Sequence, residues 1–292
     1  MTRCEERPVR TGALHGVAHL PVQPSGRAIL LLNAGGIRRI GPNRLYTALA
    51  RRWAARGHLC LRVDLTGLGD TPARPGEPDN IVYSPRAVED VGEAIAWLRT
   101  RPDVREVHAL GLCSGGYHAL KAATAGHPMT GIVVINPLTF FWKEGQSLDY
   151  PAFLTVAARA RYGRSIRSLE KWKKLLRGGI DLGEVRRVLG HSIAAHTVGL
   201  ARDWARRLGR PFPDDLGAEL DALAARGIAM RFVFAAGDPG LGLLRRDGGS
   251  AVRRLEREGR LSIDVIDGAD HTFTPLASQA ALQAVLERVL GV

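Results

Sequence analysis

Cysteine is scarce: three residues in 292, at positions 4, 60 and 113. They are too few and too scattered for a disulfide framework, and none stands in a CxxC or Cys/His spacing that would hold zinc. A reducing compartment suits that count, and each thiol needs its own explanation. Long apolar runs are also missing. No stretch reaches the ~18 uninterrupted apolar residues of a membrane helix, and the charged start, residues 1–10, has no apolar block behind it. Neither a membrane span nor a secretory leader is expected, and the chain reads as soluble and cytoplasmic. Internal repeats and low-complexity tracts are lacking as well.

Lysine is nearly absent. Only five of the 41 basic residues are lysines (121, 143, 171, 173 and 174), so arginine carries most of the formal net charge of +12. Such a preference, beside abundant alanine and glycine, can reflect coding bias as much as function. No helix-turn-helix, zinc-finger or RNP-type aromatic pattern accompanies the charge, so nucleic-acid binding is not expected. A basic surface can instead steer an acidic partner or substrate. The 45% hydrophobic and 24% charged residues are ordinary for a soluble globular chain and exclude disordered, collagen-like and coiled-coil classes. At ~150 residues per domain, the length fits one large domain or two small ones.

Residues 27–33 form a short apolar run ending at Gly35-Gly36, the pattern of a strand buried on both faces. Pro42 opens a stretch with Leu45, Leu49, Trp53 and Ala54 at helical spacing, closed by Gly57. The alternation continues with a strand at 58–64, a Gly/Pro/Asp-rich loop to 84, a helix at 86–100, a strand at 105–110, a helix at 114–126 and a strand at 131–135. An earlier segment, 14–22, is expected to add an edge strand. Strands separated by helices imply parallel pairing with right-handed crossovers, hence an α/β fold with a mostly parallel central sheet covered by helices on both faces. From 137 to 228 the rhythm breaks into basic amphipathic helical stretches, including 168–177 and 193–208. That block reads as an inserted helical lid, with residues 1–136 and 229–292 as the core. Strands at 230–235 and 261–266 and helices at 248–259 and 276–290 complete the chain.

The strand at 105–110 runs into Gly111-Leu112-Cys113-Ser114-Gly115-Gly116 and then directly into a helix. In that setting a G-x-nucleophile-x-G turn has mechanical meaning. The central residue sits on a strained turn, and the positions two before and two after it must be small because strand and helix backbones pass close together. Glycines 111 and 115 satisfy this around Cys113. Centring the turn on Ser114 would put Leu112 at a crowded position, so Cys113 is the favoured nucleophile.

These residues make the chain resemble the α/β-hydrolase superfamily from the strand at 27 onward, with cysteine in place of the usual serine. The cysteine elbow resembles the dienelactone-hydrolase type. Asn33-Ala-Gly-Gly, Gly41-Pro-Asn-Arg-Leu-Tyr and Arg62-Val-Asp-Leu-Thr-Gly-Leu-Gly-Asp look more like the lidded serine-aminopeptidase-like branch and hydrolases associated with exosortase and biosynthetic clusters. The family's order of nucleophile, acid and histidine implies Asp238, after Phe232-Val-Phe-Ala-Ala-Gly, as the acid, and His271, before the closing helix, as the base. The resemblance also implies an oxyanion hole built from the Ser114 N–H and one from the loop Ala34-Gly35-Gly36, with Ala34 or Gly35 as the second donor. Asn33 stands where many relatives have histidine. No metal or organic cofactor is implied.

The chemistry suits the residue types. A free thiol, with a pKa of ~8.5, is mostly protonated at neutral pH, and an imidazole and a helix N-terminus favour the thiolate. His271 would take the thiol proton and return one to the leaving group, while Asp238 would fix the tautomer. Asp267 and Asp270 compete with Asp238 as the acid. Cys60, inside a strand, reads as core, and Cys4 as an exposed tail thiol. His118 and Tyr117, one turn into the elbow helix, read as packed residues that can touch substrate. Phe140, Phe141, Trp142 and Tyr150 either line an acyl pocket or anchor the insertion. The cluster Lys171 to Lys174 is a solvated helix face or a docking patch for an acidic protein. Asp64 and Asp70 flank an incomplete glycine fingerprint, read as a structural turn and not as a nucleotide or metal site.

The expected function is therefore cleavage of an ester or thioester through an acyl-Cys113 intermediate. Acyl transfer to an amine or alcohol, from a chain presented by an acidic carrier protein, is the alternative. A binding module on the same scaffold is a third reading, because fold does not fix function, and the triad counts against it.

Overall fold

The computed structural model describes residues 4–145, 199, 201–206 and 208–292. Eight strands form one sheet: β1 (Glu5–Thr11), β2 (Leu14–Leu20), β3 (Arg27–Leu32), β4 (Leu59–Asp64), β5 (Glu106–Leu112), β6 (Gly131–Ile135), β7 (Ala229–Ala235) and β8 (Leu261–Ile266). Their order is β1-β2-β4-β3-β5-β6-β7-β8. β1 and β2 pair antiparallel with each other, β2 pairs antiparallel with β4, and the rest are parallel. Six helices are labelled here, α1 (Leu45–Ala55), α2 (Ala87–Arg99), α3 (Ser114–Thr124), α4 (Leu216–Ala225), α5 (Pro239–Arg257) and α6 (Leu276–Leu290), and a 3-10 turn at Pro42–Arg44 leads into α1. This is the α/β-hydrolase architecture.

The central strands carry apolar residues on both faces and are buried on both, as parallel strands must be. On one face, Leu45, Leu49 and Trp53 of α1 and Leu282, Leu286 and Leu290 of α6 pack with Ile29, Leu31, Leu110, Leu112, Val133 and Val233. These positions alternate along the strands, and the helical ones recur every four residues. The other face takes α3, where Gly116 lies against Val134. The order in which successive strands are added reverses at β3, since β4 lies on one side of it and β5 on the other. The crevice beyond the carboxyl ends of β3 and β5 is thus the switch point where α/β sheets place their ligands.

Two expectations need correction. The edge strand is β1, with β2 second. β1 is hard to read because its sequence, Glu-Glu-Arg-Pro-Val-Arg-Thr, is charged and mostly exposed. Pro8 pairs with Val17 there, and an edge strand tolerates the missing N–H. The helix expected at 248–259 instead starts at Pro239 and passes through a break at Gly249, where φ is +56°. The paired glycines 248 and 249 read as a start, although they interrupt a longer element.

The chain divides into two compact units, one of residues 1–137, 222–236 and 255–292, the other of 138–221 and 237–254. Within the second, Arg206 pairs with Asp215 at 2.8 Å and with Asp203 at 3.2 Å, and Lys143 pairs with Asp214 at 2.9 Å. Most of the expected insertion, with Tyr150, the stretch 168–177 and the cluster Lys171 to Lys174, lies outside the described residues. Of the stretch 193–208, residues 201–206 are helical.

Candidate active site

Cys113 sits between β5 and α3 with φ +57° and ψ −118°, a conformation that costs a non-glycine residue ~1–3 kcal/mol and survives only where its surroundings enforce it. Those surroundings are visible. The Cys113 N–H donates to the Ile135 carbonyl at 2.8 Å, and its carbonyl accepts the Tyr117 N–H at 3.3 Å. One residue earlier, the Leu112 N–H donates to the buried Tyr46 hydroxyl at 2.8 Å. A Cβ on Gly111 would lie 2.1 Å from the Gly115 carbonyl carbon, and one on Gly115 would lie 2.6 Å from the Asn33 oxygen. Both small positions are therefore required by backbone approach, as the elbow reading demands. The thiol is half-buried at the head of α3.

Ser114 is a different kind of residue. It is the first residue of α3 and is buried; its Oγ accepts the Gly35 N–H at 2.9 Å and donates to the Asn33 carbonyl at 3.4 Å. The hydroxyl ties the loop after β3 to the elbow. Asn33 is buried and structural: its Oδ1 accepts the Leu65 N–H at 2.8 Å, and its Nδ2 donates to the Ile37 carbonyl at 2.9 Å and to Asp64 at 2.8 Å. Asp64 also accepts the Arg39 N–H at 2.6 Å and the Asp70 N–H at 3.1 Å and pairs with the Arg39 guanidinium. Its oxygens are committed to closing the β4 turn, which fits the structural reading of that glycine loop. Among the described residues, no group of three or more His, Cys, Asp or Glu is arranged to hold a metal ion.

His271 lies in the loop between β8 and α6, and its carbonyl accepts the Asn136 side-chain N–H at 2.8 Å. The other end of the Asn136 amide accepts the Ala235 N–H at 2.8 Å. Asn136 itself takes φ +44°. It thereby clips the histidine loop to the ends of β6 and β7. Asp270 is exposed and accepts the Thr274 N–H at 2.7 Å; those bonds hold its carboxyl below the usual range. It caps the turn that carries the histidine, and Asp267 is exposed beside it. Asp238 lies in the second unit, just before α5, where its Oδ1 accepts the Gly240 N–H at 2.8 Å. Phe140 is buried and Phe141 and Trp142 are half-buried, also in that unit.

Around the elbow and the histidine loop, sequence reasoning missed Tyr46, Asn136 and Tyr83. Tyr83 is buried in the loop before α2, its ring edge-on to Tyr117 at 5.2 Å and 6.0 Å from the His118 ring. His118 is buried as a packing residue; its Nε2 donates to the Val82 carbonyl at 2.8 Å, and burial pushes its pKa down to about 4. A Tyr four residues before a helix carries no local signal of this placement. Cys60 is core, as read, while Cys4 is half-buried against α1, its Sγ 3.9 Å from the Arg51 carbonyl.

Comparison with solved structures agrees with this architecture. The chain is similar to a dienelactone hydrolase from Anabaena variabilis (TM-score 0.58, 14% identity, covering 99% of this chain and 98% of that one). It is also similar to an alpha-beta serine hydrolase homologue from Coxiella burnetii (0.52, 12%, 98% and 97%). A third is an a/b serine hydrolase without lid from Xanthomonas campestris (0.51, 13%, 100% and 95%). Identities this low speak for the fold alone. Among curated proteins, none matches the chain. The family model described as "Alpha/beta hydrolase family" matches residues 29–286, from β3 into the closing helix, and the chain belongs to that family.

Proposed function

We propose that the protein is a hydrolase of esters or thioesters that works through a covalent acyl-Cys113 intermediate. The observation that carries this reading is the conformation of Cys113: a non-glycine residue held at φ +57° between two backbone contacts that only glycines allow, its thiol half-buried at a helix N-terminus. Strain of this kind is maintained where a side chain has to be presented.

In the proposed reaction, His271 takes the thiol proton as Sγ bonds to the acyl carbon, and the carbonyl π pair moves onto oxygen. Collapse of that adduct breaks the bond to the leaving group, which takes the proton back from His271, and leaves a thioester on Cys113. Water, deprotonated by His271, then releases the acid. Asp238 is the acid of the triad in this reading. Because the Gly35 N–H is spent on Ser114 Oγ, the oxyanion is assigned to the N–H groups of Ser114 and Ala34. Residues 137–228 are the lid in the same reading.

The acyl-enzyme is itself a thioester, so an amine or alcohol can replace water as acceptor where water is excluded. The net charge of +12 favours an acidic carrier protein as donor in that variant. The test is turnover of chromogenic short-chain esters and thioesters, together with iodoacetamide labelling read by intact mass and peptide mapping. Selective labelling of Cys113 and loss of at least about 1,000-fold in kcat in Cys113→Ala are expected. Full activity in Cys113→Ala overturns the reading. Product diverted from free acid when amines or alcohols are added identifies transfer.

A further inference from the structure

Two bonds fasten the segment after β3 to the elbow, one on each side of Cys113. The Gly35 N–H donates to Ser114 Oγ at 2.9 Å, and the Tyr46 hydroxyl, in the first turn of α1, accepts the Leu112 N–H at 2.8 Å. Residues 36–45 therefore arch beside the nucleophile, at the rim of the crevice. The arch is stiff. Its carbonyls at Ile37 and Arg39 accept from Asn33 Nδ2 at 2.9 Å and from the Arg62 guanidinium at 3.2 Å. The Arg39 N–H donates to Asp64 at 2.6 Å, and the Ile40 carbonyl accepts the Thr47 N–H at 3.3 Å.

What this arch shows to solvent is apolar and basic. Ile37 is 39% exposed and Ile40 45%; the Arg38 side chain is 63% exposed, and Arg44 is exposed as well. Asn43 and Arg44 hold φ of +51° and +61°, conformations that cost non-glycine residues and persist where the surroundings enforce them. Arg38 lies 3.4 Å from Asp70, which also pairs with Arg39, and Arg44 has no carboxylate partner among the described residues. No Asp or Glu stands between Glu6 and Asp64, so neither the arch nor α1 carries a negative side chain.

We propose that residues 37–44 are the docking surface for an acidic carrier protein that delivers the acyl thioester. The proposal rests on the acyl-Cys113 reading and gives that reading its partner. Arginines set among exposed isoleucines fit a protein face that sets apolar side chains among carboxylates, and such rim charges act mainly on encounter and register. A lipid surface fits less well, because interfacial segments bury Trp, Phe or Leu along a helix face, whereas the arch offers two half-exposed isoleucines on a firmly bonded loop. Since the arch is anchored at Leu112 and Ser114, a carrier seated on it stands beside the thiol. Sγ then bonds to the acyl carbon, the bond to the carrier arm's sulfur breaks, and that sulfur leaves with the proton returned by His271.

The test presents the full chain with one acyl group on two thiols, an acidic acyl carrier protein and free pantetheine, across chains of about two to twelve carbons. Wild type is expected to show at least about tenfold higher kcat/KM for the carrier form at low salt, and to lose most of that advantage at about 0.5 M salt, where surface charges are screened beyond roughly 4 Å. Arg44→Gly, which the left-handed φ accepts without strain, keeps the fold and is expected to lower carrier kcat/KM about 3- to 10-fold. Arg44→Glu combined with Ile40→Ser should lower it about 30-fold or more, with pantetheine kcat/KM within about twofold of wild type in both. Unchanged carrier turnover in both variants overturns the proposal. Equal loss on the two substrates overturns it too, since the arch would then act on the surroundings of the thiol. Lost binding to phosphatidylglycerol vesicles beside intact carrier turnover identifies a lipid surface and overturns it as well. A wild type that turns over pantetheine thioesters with no advantage for the carrier removes the docking role alone. One that turns over neither form and leaves Cys113 unacylated removes the hydrolase reading, and the docking with it.

Discussion

Gly111→Ala tests the elbow more sharply than any change at the thiol. The added Cβ would stand 2.1 Å from the Gly115 carbonyl carbon, 2.4 Å from its oxygen and 2.5 Å from its Cα. Carbon pairs rest at ~3.5–4.0 Å, so the shortfall is about 1.5 Å, and all three obstacles are backbone atoms that no rotamer change can move. The helix α3 would have to shift. Behind it Gly115 already abuts β3, where its own Cβ would meet the Asn33 oxygen at 2.6 Å. Overpacking typically costs ~1–3 kcal/mol, and with no soft direction the expected loss is at the upper end, about 3 kcal/mol. For a chain of this size that is roughly 5–10 °C in Tm. Gly36→Ala is the matched control, because nothing lies within 4 Å of its Cβ and its φ is not left-handed; it should stay within about 0.5 kcal/mol. Thermal and urea unfolding give the stability, and the iodoacetamide rate reports the thiol. A Gly111→Ala protein melting within about 1 °C of wild type, with undiminished Cys113 labelling, would mean that strand and helix do not approach as described. The choice of Cys113 over Ser114 would then lose its basis.

Three further outcomes follow from the same contacts. His19, His108 and His118 are buried, and burial is the first cause that lowers each from 6.5 to about 4. The unfolded chain therefore binds more protons than the fold between pH 6.5 and 4, so stability falls as pH drops through that window, by up to about 3 kcal/mol per histidine. Urea midpoints that are flat from pH 7 to 4 would contradict this. Ser114→Ala leaves the Gly35 N–H without its 2.9 Å acceptor and should cost about 1–3 kcal/mol, with faster hydrogen exchange at residues 34–36; an unaltered exchange rate would refute the tie. Asn136→Ala releases both the His271 carbonyl and the Ala235 N–H and is expected to lower kcat by at least about tenfold with little change in alkylation at high pH, where the thiolate needs no base. Equal kcat in the variant would show that the clip does not position the histidine.

The sheet was legible where the sequence alternates strand and helix without interruption. Residues 27–33, 131–135 and 261–266 are apolar runs of strand length between turn signals, and each is a strand within a residue or so. The elbow was legible because glycine at 111 and 115 has one mechanical reason, the backbone approach measured at both. What stayed hidden is tertiary. Nothing local marks Tyr46 as the acceptor for the Leu112 N–H, since it reads as one more apolar helix position. Asn136 reads as the residue where a strand ends; its amide bridges partners 99 and 135 residues away. β1 escaped because an edge strand has one paired side and needs no apolar pattern.

The adjacency of Cys113 and Ser114 bears on how this family's chemistry runs here. Serine does not take over by a shift of one residue: Ser114 is in the helix, buried, with its oxygen accepting the Gly35 N–H and its proton on the Asn33 carbonyl. To attack, it would strand a buried amide and release the loop that forms one wall of the crevice, a loss of ~1–3 kcal/mol before any chemistry begins. In the proposed reading the two residues therefore divide the work, sulfur as the attacking atom and the Ser114 oxygen as a brace. That division has an energetic consequence under the proposed mechanism. With sulfur as nucleophile, acylation by a thioester exchanges one thioester for another and is close to thermoneutral, whereas acylation by an oxygen ester runs uphill. Thioester substrates should therefore show the larger kcat/KM when acyl chains are matched, and a preference for oxygen esters would count against sulfur as the attacking atom.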